Sequence, residues 1–426
     1  MTGIIQKLHA IVGDKGLLTG DAVTSRTGNL WTGEALNAKA MVRPASTAEV
    51  SAVLACCNDA KQPVVPAGGL TGLVEGQQAS AGEILLSLER MNTIEDMNET
   101  DRTMTVQGGA ILEIVQQKAE AAGLMFPLDL GARASCTIGG NIATNAGGVR
   151  VVRYGMMRNL VLGLEAVLAD GTVLDGMSGL IKNNTGYDLK HLFVGSEGTL
   201  GVVTRAVLRL HEALPGVGTA FLSVPTWDAV VALLRFFDSH VAGGVIAYEV
   251  MWRDYFELNT GDTSDVKSPF NDSVEFYVIV EIPLQDPEAG AHELEELLGT
   301  AMEDELIVDG IIPKSEQERQ KLWEIRESFE PEKRRFDETH GFDVSLSTAI
   351  MNDYVETVRR NLADTAPQAK LFTMGHIGDN NIHFSVSDVA KEDMGPVNDI
   401  IYGPLKKIHG SVSAEHGIGT EKRDYL

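Results

Sequence analysis

The sequence is poor in cysteine and in basic residues and has no long apolar run, and each shortage removes a class of protein. Three cysteines occur in 426 residues, at Cys56, Cys57 and Cys136, and no two form a C-x-x-C pair. Thiolate-based iron–sulfur and structural zinc sites are therefore disfavoured. Cys56 and Cys57 fall in STAEVSAVLACCNDA, which opens on the capping box Ser46-x-x-Glu49 and repeats apolar residues at Val50, Val53 and Leu54. The spacing predicts a helix carrying buried thiols in a reducing compartment. Lys and Arg total 35 against 60 Asp and Glu, a net charge of −25. Nucleic acid and anionic membranes would be repelled, and an anionic substrate needs a local positive site. No apolar run reaches about 18 residues, so no membrane span is expected. The opening MTGIIQKLHAIVGDKG lacks a signal-peptide layout and reads as a short amphipathic helix, which points to the cytoplasm, or the mitochondrial matrix in a eukaryote. The dinucleotide fingerprint G-x-G-x-x-G is missing too, so a Rossmann fold has no support.

Glycine, by contrast, is abundant, with 44 residues. The densest run begins at Pro127, PLDLGARASCTIGGNIATNAGGVR, and places Gly139-Gly140 and Gly147-Gly148 around Asn, Thr and Ser with almost no charge. That composition allows close backbone approach and supplies many short hydrogen-bond donors, as a bound pyrophosphate requires. Alone it fits a surface loop equally well. Three further stretches accompany it: PVVPAGGLTGLVEG at 63–76, VVRYG at 151–155 and GSEGTLGVV at 195–203.

In this order the four stretches resemble the FAD-binding domain of the vanillyl-alcohol-oxidase type, in the branch that contains D-lactate, glycolate and D-2-hydroxyglutarate dehydrogenases. The resemblance implies FAD and no nicotinamide cofactor. It implies flavin contacts from Pro66, Ala67, Gly68, Gly69, Thr71, Gly72 and Leu73. A second set is Pro127, Ser135, Thr137, Gly139, Gly140, Asn141, Thr144, Asn145, Gly147 and Gly148. Arg153, Tyr154 and Gly155 follow, then Glu197, Gly198, Gly201 and Val202. Relatives with covalent FAD carry a His in the loop equivalent to PAGGLTGLVEG; residues 63–76 contain none, so non-covalent FAD is expected.

A chain of this length suggests two or three domains. Strands are expected at 40–43, 63–66, 84–88 and 104–106, with a helix at 110–122. A hairpin over 162–174 should turn at Asp170-Gly171, and a last strand runs through 202–210. HEALPGVGT at 211–219 breaks the pattern with Pro and Gly and sets a boundary between 214 and 215. Beyond it, helices near 226–239, 288–303 and 315–330 alternate with strands at 219–224, 274–282, 342–346, 371–376 and 382–386. The expected fold class is α+β: a two-part α+β FAD-binding domain over 1–214, and an α+β cap, or substrate, domain over 215–426 built on an antiparallel sheet.

The chemistry of the second half starts at MGHIGDNNIHFSV, 374–386. Two strands joined by IGDNN put His376 and His383 at the mouth of a hairpin, where directly opposed residues have Cβ atoms about 5 Å apart, close enough for two imidazoles to hold one metal ion. Asp379 in the loop is a rival ligand, and two surface histidines around an Asx turn is the plain alternative. GSVSAEHGIG at 410–419 places Glu415 and His416 side by side on a strand-like segment, pointing to opposite sides and so suited to two different jobs. These motifs are similar to those of the same family branch. The resemblance implies that His376, His383 and Glu415 hold a divalent metal, zinc or manganese rather than magnesium, and that His416 is the base.

SEQERQKLWEIRESFEP opens on the capping box Ser315-x-x-Glu318 and stops before Pro331, with Leu322, Ile325 and Phe329 as its apolar stripe. Arg326 falls within that stripe and needs a buried anion, either an internal Asp or Glu or a substrate carboxylate. In the resembled branch the Arg of an L-W-x-x-R-E pattern binds the substrate carboxylate. The neighbouring KRR at 333–335 reads as a solvated helix end.

Two departures from the family bear on substrate. Hydroxyglutarate-specific members resemble K-Y-D-L-S-L where this chain has Gly341 to Leu346, GFDVSL, and L-N where it has Phe384-Ser385. Relatives also continue past KRDYL through one more helix, so a truncated end is expected. The implied activity is an FAD-linked dehydrogenase, an oxidoreductase acting on the CH–OH of a small anionic D-2-hydroxy acid such as D-lactate. D-2-hydroxyglutarate or glycolate dehydrogenase proper is the alternative; a metal-dependent hydrolase or a bare flavoprotein electron carrier is more distant. A quinone, cytochrome or electron-transfer flavoprotein would re-oxidise it, and a homodimer is possible.

Overall fold

The computed structural model describes residues 3–29, 33–271 and 273–426. The chain folds as two compact units. The first comprises residues up to Gly148, Tyr154–Ala213 and Glu415–Asp424; the second comprises Val149–Arg153, Leu214–Ala414 and the last two residues. The units are therefore not simple halves of the sequence. A five-residue piece inside the Gly-rich region belongs to the second unit, and a ten-residue piece carrying Glu415 and His416 belongs to the first.

The first unit holds two larger sheets. One runs Leu17–Leu18, Ala40–Val42, Ile84–Ser87, Val64–Ala67 in spatial order, with the last three strands parallel. Ser46 caps the helix Thr47–Asp59 by accepting from the Glu49 N–H, while Glu49 reaches back to the Ala45 N–H, so the capping box forms. Cys57 lies on the buried face of this helix, and Cys56 is half-buried. The other sheet is antiparallel in the order Ile94–Asn98, Thr103–Gln107, Val202–Arg209, Val161–Val167, Val173–Gly176. Its hairpin turns where the sequence predicts, with Gly171 at φ +87 and the Asp170 carboxylate accepting from Thr172 N at 2.8 Å. The helix expected over 110–122 is shorter, Leu112–Glu120. Part of the Gly-rich run is itself helical, Ile138–Thr144, with Ile138 and Ile142 buried against the antiparallel sheet.

The second unit is one seven-stranded sheet. Its strands in chain order are β1 (Gly216–Val224), β2 (Ala247–Trp252), β3 (Phe276–Leu284), β4 (Asp309–Ile311), β5 (Thr339–Ser345), β6 (Lys370–His376) and β7 (Asn381–Ser387). The spatial order is β4-β1-β3-β2-β6-β7-β5, antiparallel throughout. The sequence reading does not include β2, the helix Thr348–Thr365 or the helix Met394–Tyr402. Every residue of β2 is buried, so no polar alternation marks it. The long helix does carry a readable signal, with Met351, Tyr354, Val355, Val358 and Leu362 buried at helical spacing.

Each face of this sheet has its own core. Val250, Val278, Val280, Phe342, Val344 and Phe384 pack under Thr348–Thr365 and its neighbours. Met251, Tyr277, Ile279, Phe372 and Met374 pack under α1 (Arg253–Thr260) and α2 (Glu316–Glu327). The helix expected over 315–330 ends at Glu327, and a separate short helix α3 (Glu330–Arg335) begins with Pro331 in its first turn. Phe329, expected in the apolar stripe, lies at that break and is 46% exposed. Lys333, Arg334 and Arg335 are exposed, as a helix-end cluster should be.

Candidate functional site

The second unit places its polar residues in one row. Because directly paired residues project to the same face of a sheet, the register of β2 against β6 sets Glu249 beside His376, and that of β5 against β7 sets Asp343 beside His383. Arg326 descends onto this row from α2. Two fixings hold that helix. Ser315 caps it through the Glu318 N–H, and the buried Glu281 carboxylate accepts from Trp323 Nε1 at 2.8 Å and Arg319 Nη1 at 2.7 Å. Tyr255 Oη adds a 2.8 Å bond to the Arg326 carbonyl.

Arg326 is buried as the sequence predicts, and the anion it meets is Glu249. Arg326 Nε donates to Glu249 Oε2 at 2.7 Å, and His376 Nδ1 lies 2.6 Å from Glu249 Oε1. Glu249 is 1% exposed and Arg326 7%. Burial by itself raises the Glu249 carboxyl; His376 and Arg326 outweigh it and hold the group below its ordinary range. Burial likewise disfavours the Arg326 cation, and Glu249 more than restores it. Glu249 is the central residue that sequence reasoning missed. It lies in the strand that reading did not include.

His376 and His383 are not directly opposed, which corrects the hairpin expectation. The residue paired with His383 is Met374, and His376 lies two positions further along, at the turn Ile377–Asp379. The two rings still meet, with centroids 5.1 Å apart and nearly perpendicular. The acid that the sheet sets beside His383 is Asp343, not Asp379. Arg326 Nη2 sits 3.4 Å from His376 Nε2, and a guanidinium can only donate, so His376 carries its proton on Nδ1, toward Glu249. Nε2 keeps its lone pair, on the side where Arg326 Nη2 lies. A carboxylate holding Nδ1–H while Nε2 stays basic is the arrangement that orients a metal-binding imidazole, and the donor set here fits a divalent metal.

The first unit holds the residues expected at the flavin, apart from Arg153. A Cβ on Gly69 would stand 2.0 Å from the Ser135 carbonyl oxygen, and one on Gly148, at φ +111, would stand 1.9 Å from that of Asp129. No other residue type could occupy either position with the loops in place. Thr137 is 7% exposed, and its hydroxyl has no hydrogen-bond partner among the described residues. Glycine-walled backbone around a buried, unsatisfied hydroxyl fits a phosphate-bearing cofactor.

Several other expected flavin residues carry structural bonds. Asn145 ends the helix Ile138–Thr144 in a left-handed conformation, and its Oδ1 accepts from Arg158 N at 2.9 Å. Glu197 accepts from Ile418 N and Gly419 N at 2.7 and 2.8 Å. Arg153 falls in the second unit, where its guanidinium donates to the carbonyls of Gly243 and Gly244. Tyr154 meets His211 edge to face at 4.9 Å. Glu415 accepts from Gly148 N, and the segment around it is a series of bends rather than the expected strand. His416, next along it, is half-buried.

Comparison with known proteins bears on both units. Residues 38–176 match the FAD binding domain family, and residues 216–426 match the C-terminal domain of FAD linked oxidases. A Xanthomonas citri pv. viticola protein named D-2-hydroxyglutarate dehydrogenase is 38% identical over 397 residues, covering 92% of this chain and 83% of its own length. A protein of the same name from Stutzerimonas stutzeri is 34% identical, covering 99% and 92%. The Arabidopsis thaliana D-2-hydroxyglutarate dehydrogenase, mitochondrial, is 36% identical, covering 92% and 70%. Among solved structures, alkyldihydroxyacetonephosphate synthase superposes with a TM-score of 0.76 at 16% identity, covering all of this chain and 82% of that one. p-Cresol methylhydroxylase gives 0.73 at 15% identity, covering 97% and 89%, and both likenesses are of fold alone. The FAD-binding and C-terminal portions are each matched, and relatives above 30% identity span nearly the whole chain, so it belongs to the FAD-linked oxidases.

Proposed function

We propose that this chain is an FAD-dependent dehydrogenase that oxidises a D-2-hydroxy acid to the 2-oxo acid. The observation that carries the reading is the buried Arg326–Glu249–His376 cluster beside His383, in a member of a family of CH–OH oxidoreductases. Glu249 occupies Nε of Arg326, and the Nη groups retain donors for the carboxylate next to the reacting carbon. His376 and His383, with Glu415 as the third ligand on motif grounds, are the proposed holders of a zinc or manganese ion. Such an ion, when bound, lowers the pKa of the substrate hydroxyl. FAD would supply the acceptor for the C2 hydride. His416 is the proposed base, receiving the hydroxyl proton on a ring nitrogen. The substrate thus loses one hydride and one proton, and the C2–O single bond becomes the carbonyl. Re-oxidation by a quinone, a cytochrome or an electron-transfer flavoprotein closes the cycle.

The test is anaerobic flavin bleaching by paired D- and L-2-hydroxy acids. Rapid bleaching by a D-acid and none by its L-partner is expected. Bleaching by neither, or by the L-series alone, would overturn the proposal.

A further inference from the structure

On the face of the sheet that carries the histidines, the row continues past His383 to Ser385 and Ser387 on β7. Across from them on β5 lie Gly341 and Thr339. Two residues along a strand is about 6.6–6.8 Å, so Ser385 stands one small substrate's length from His383. Gly341, opposite Ser385, contributes no side chain, and a Cβ built there meets nothing within 4 Å. What closes the row is Glu332, from α3. Its Oε1 accepts from Ser385 Oγ at 2.6 Å and from Ser387 Oγ at 2.8 Å. Glu332 is 3% exposed, and no basic side chain among the described residues is ion-paired with it. Its Oε2 has no protein partner among those residues. Burial raises the carboxyl above its ordinary range, and the two donated hydrogen bonds oppose that rise.

We infer that Glu332 sets specificity at the distal end of the substrate, rejecting a second carboxylate and favouring an uncharged group that donates a hydrogen bond. The inference rests on the proposed dehydrogenase reading and deepens it. Two carboxylates placed together here repel each other, because no cation stands between them and the Glu332 carboxyl is buried from water. An amide or hydroxyl in the same place satisfies the free Oε2. The serines leave no donor for a distal carboxylate, since both hydroxyl protons already point at Oε1. Rejection by an unpaired like charge is a stronger filter than mere loss of an attractive contact.

Two isosteric substrates separate the cases: D-2-hydroxyglutarate, and its 5-amide, in which the distal carboxylate becomes a neutral carboxamide. Anaerobic flavin reduction of the holoenzyme at pH 8 gives kcat/KM for each, with D-lactate as the reference that has no distal group. The wild-type enzyme should prefer the amide about tenfold or more over the diacid. Glu332→Gln should bring that ratio below about threefold while D-lactate turnover changes little, because the charge is gone and the shape is kept. Gly341→Lys, at a position with open space, should lower the ratio by a separate route, by setting an ammonium beside Glu332. A diacid preferred by the wild-type enzyme, or an amide-to-diacid ratio unmoved in Glu332→Gln while D-lactate still bleaches the flavin, overturns the assignment to Glu332 alone. Failure of every D-2-hydroxy acid to bleach the flavin overturns the dehydrogenase reading, and this inference with it.

Discussion

Glu249 joins two side chains with different duties. Arg326 uses it as a counter-ion, His376 as the acceptor that fixes its tautomer, and both bonds are shorter than 2.8 Å. Removing one member of such a buried group leaves an uncompensated charge, at a cost of about 3–5 kcal/mol. Glu249→Gln should therefore lower the melting temperature markedly and also weaken turnover, because His376 loses its carboxylate partner. Arg326→Met strips Glu249 of its counter-ion and should likewise lower the melting temperature; it should in addition cut kcat/KM for every substrate acid by about 100-fold, roughly 3 kcal/mol, as loss of a charged hydrogen bond does. Parallel thermal melts and steady-state kinetics on the two variants check this. An Arg326→Met enzyme with wild-type kcat/KM would remove Arg326 from the substrate site and leave it a purely structural ion pair.

Elements position these side chains by register and by cap. The strand pair Glu249↔His376 and the strand pair Asp343↔His383 are fixed by backbone bonding, and a slip of one residue would turn each side chain to the opposite face. In the first unit the corresponding constraint is backbone proximity, and Gly69 is one instance of it. Gly69→Ala would drive a methyl to 2.0 Å from the Ser135 carbonyl, a distance neither loop can accept without moving. The purified variant should be colourless, whereas Gly82→Ala, where a Cβ meets nothing within 4 Å, should stay yellow. Absorbance at 450 nm relative to 280 nm reads the flavin content of both. A fully flavinylated Gly69→Ala protein would show that the loop approach is not what shapes the cradle.

At the scale of the whole molecule the question is what the chain holds and how. Among the described residues no helix is long and apolar enough to cross a membrane. Residues 63–76 carry no histidine, so the flavin should be released by acid precipitation and leave the pellet white. Yellow colour retained in the pellet would show a covalent link elsewhere. The proposed metal should separate from the flavin in the same way. Dialysis against a chelator, or His376→Ala or His383→Ala, should abolish turnover and stoichiometric metal while leaving the flavin spectrum unchanged. Full activity in protein free of metal by elemental analysis would remove the ion from the mechanism and leave the two imidazoles as hydrogen-bonding groups.

The FAD-binding family was legible in the sequence because the motifs that carry the resemblance are contiguous glycine-rich runs, where local composition dictates local backbone. The capping boxes at Ser46 and Ser315 and the turn at Asp170-Gly171 were legible for the same reason: each is settled within four residues. The burial of Arg326 could be read from helical spacing as well, but not its partner. Glu249 is 77 residues from Arg326 and 127 from His376, in a strand so completely buried that nothing polar marks its outline. Glu332 reaches Ser385 across 53 residues, from a short helix that begins where the sequence reading ends the preceding one, before Pro331. Local patterns determine which residues form an element and which face they present. Which buried charge meets which is decided by sheet order and register, and those depend on contacts between segments that no short window of sequence contains.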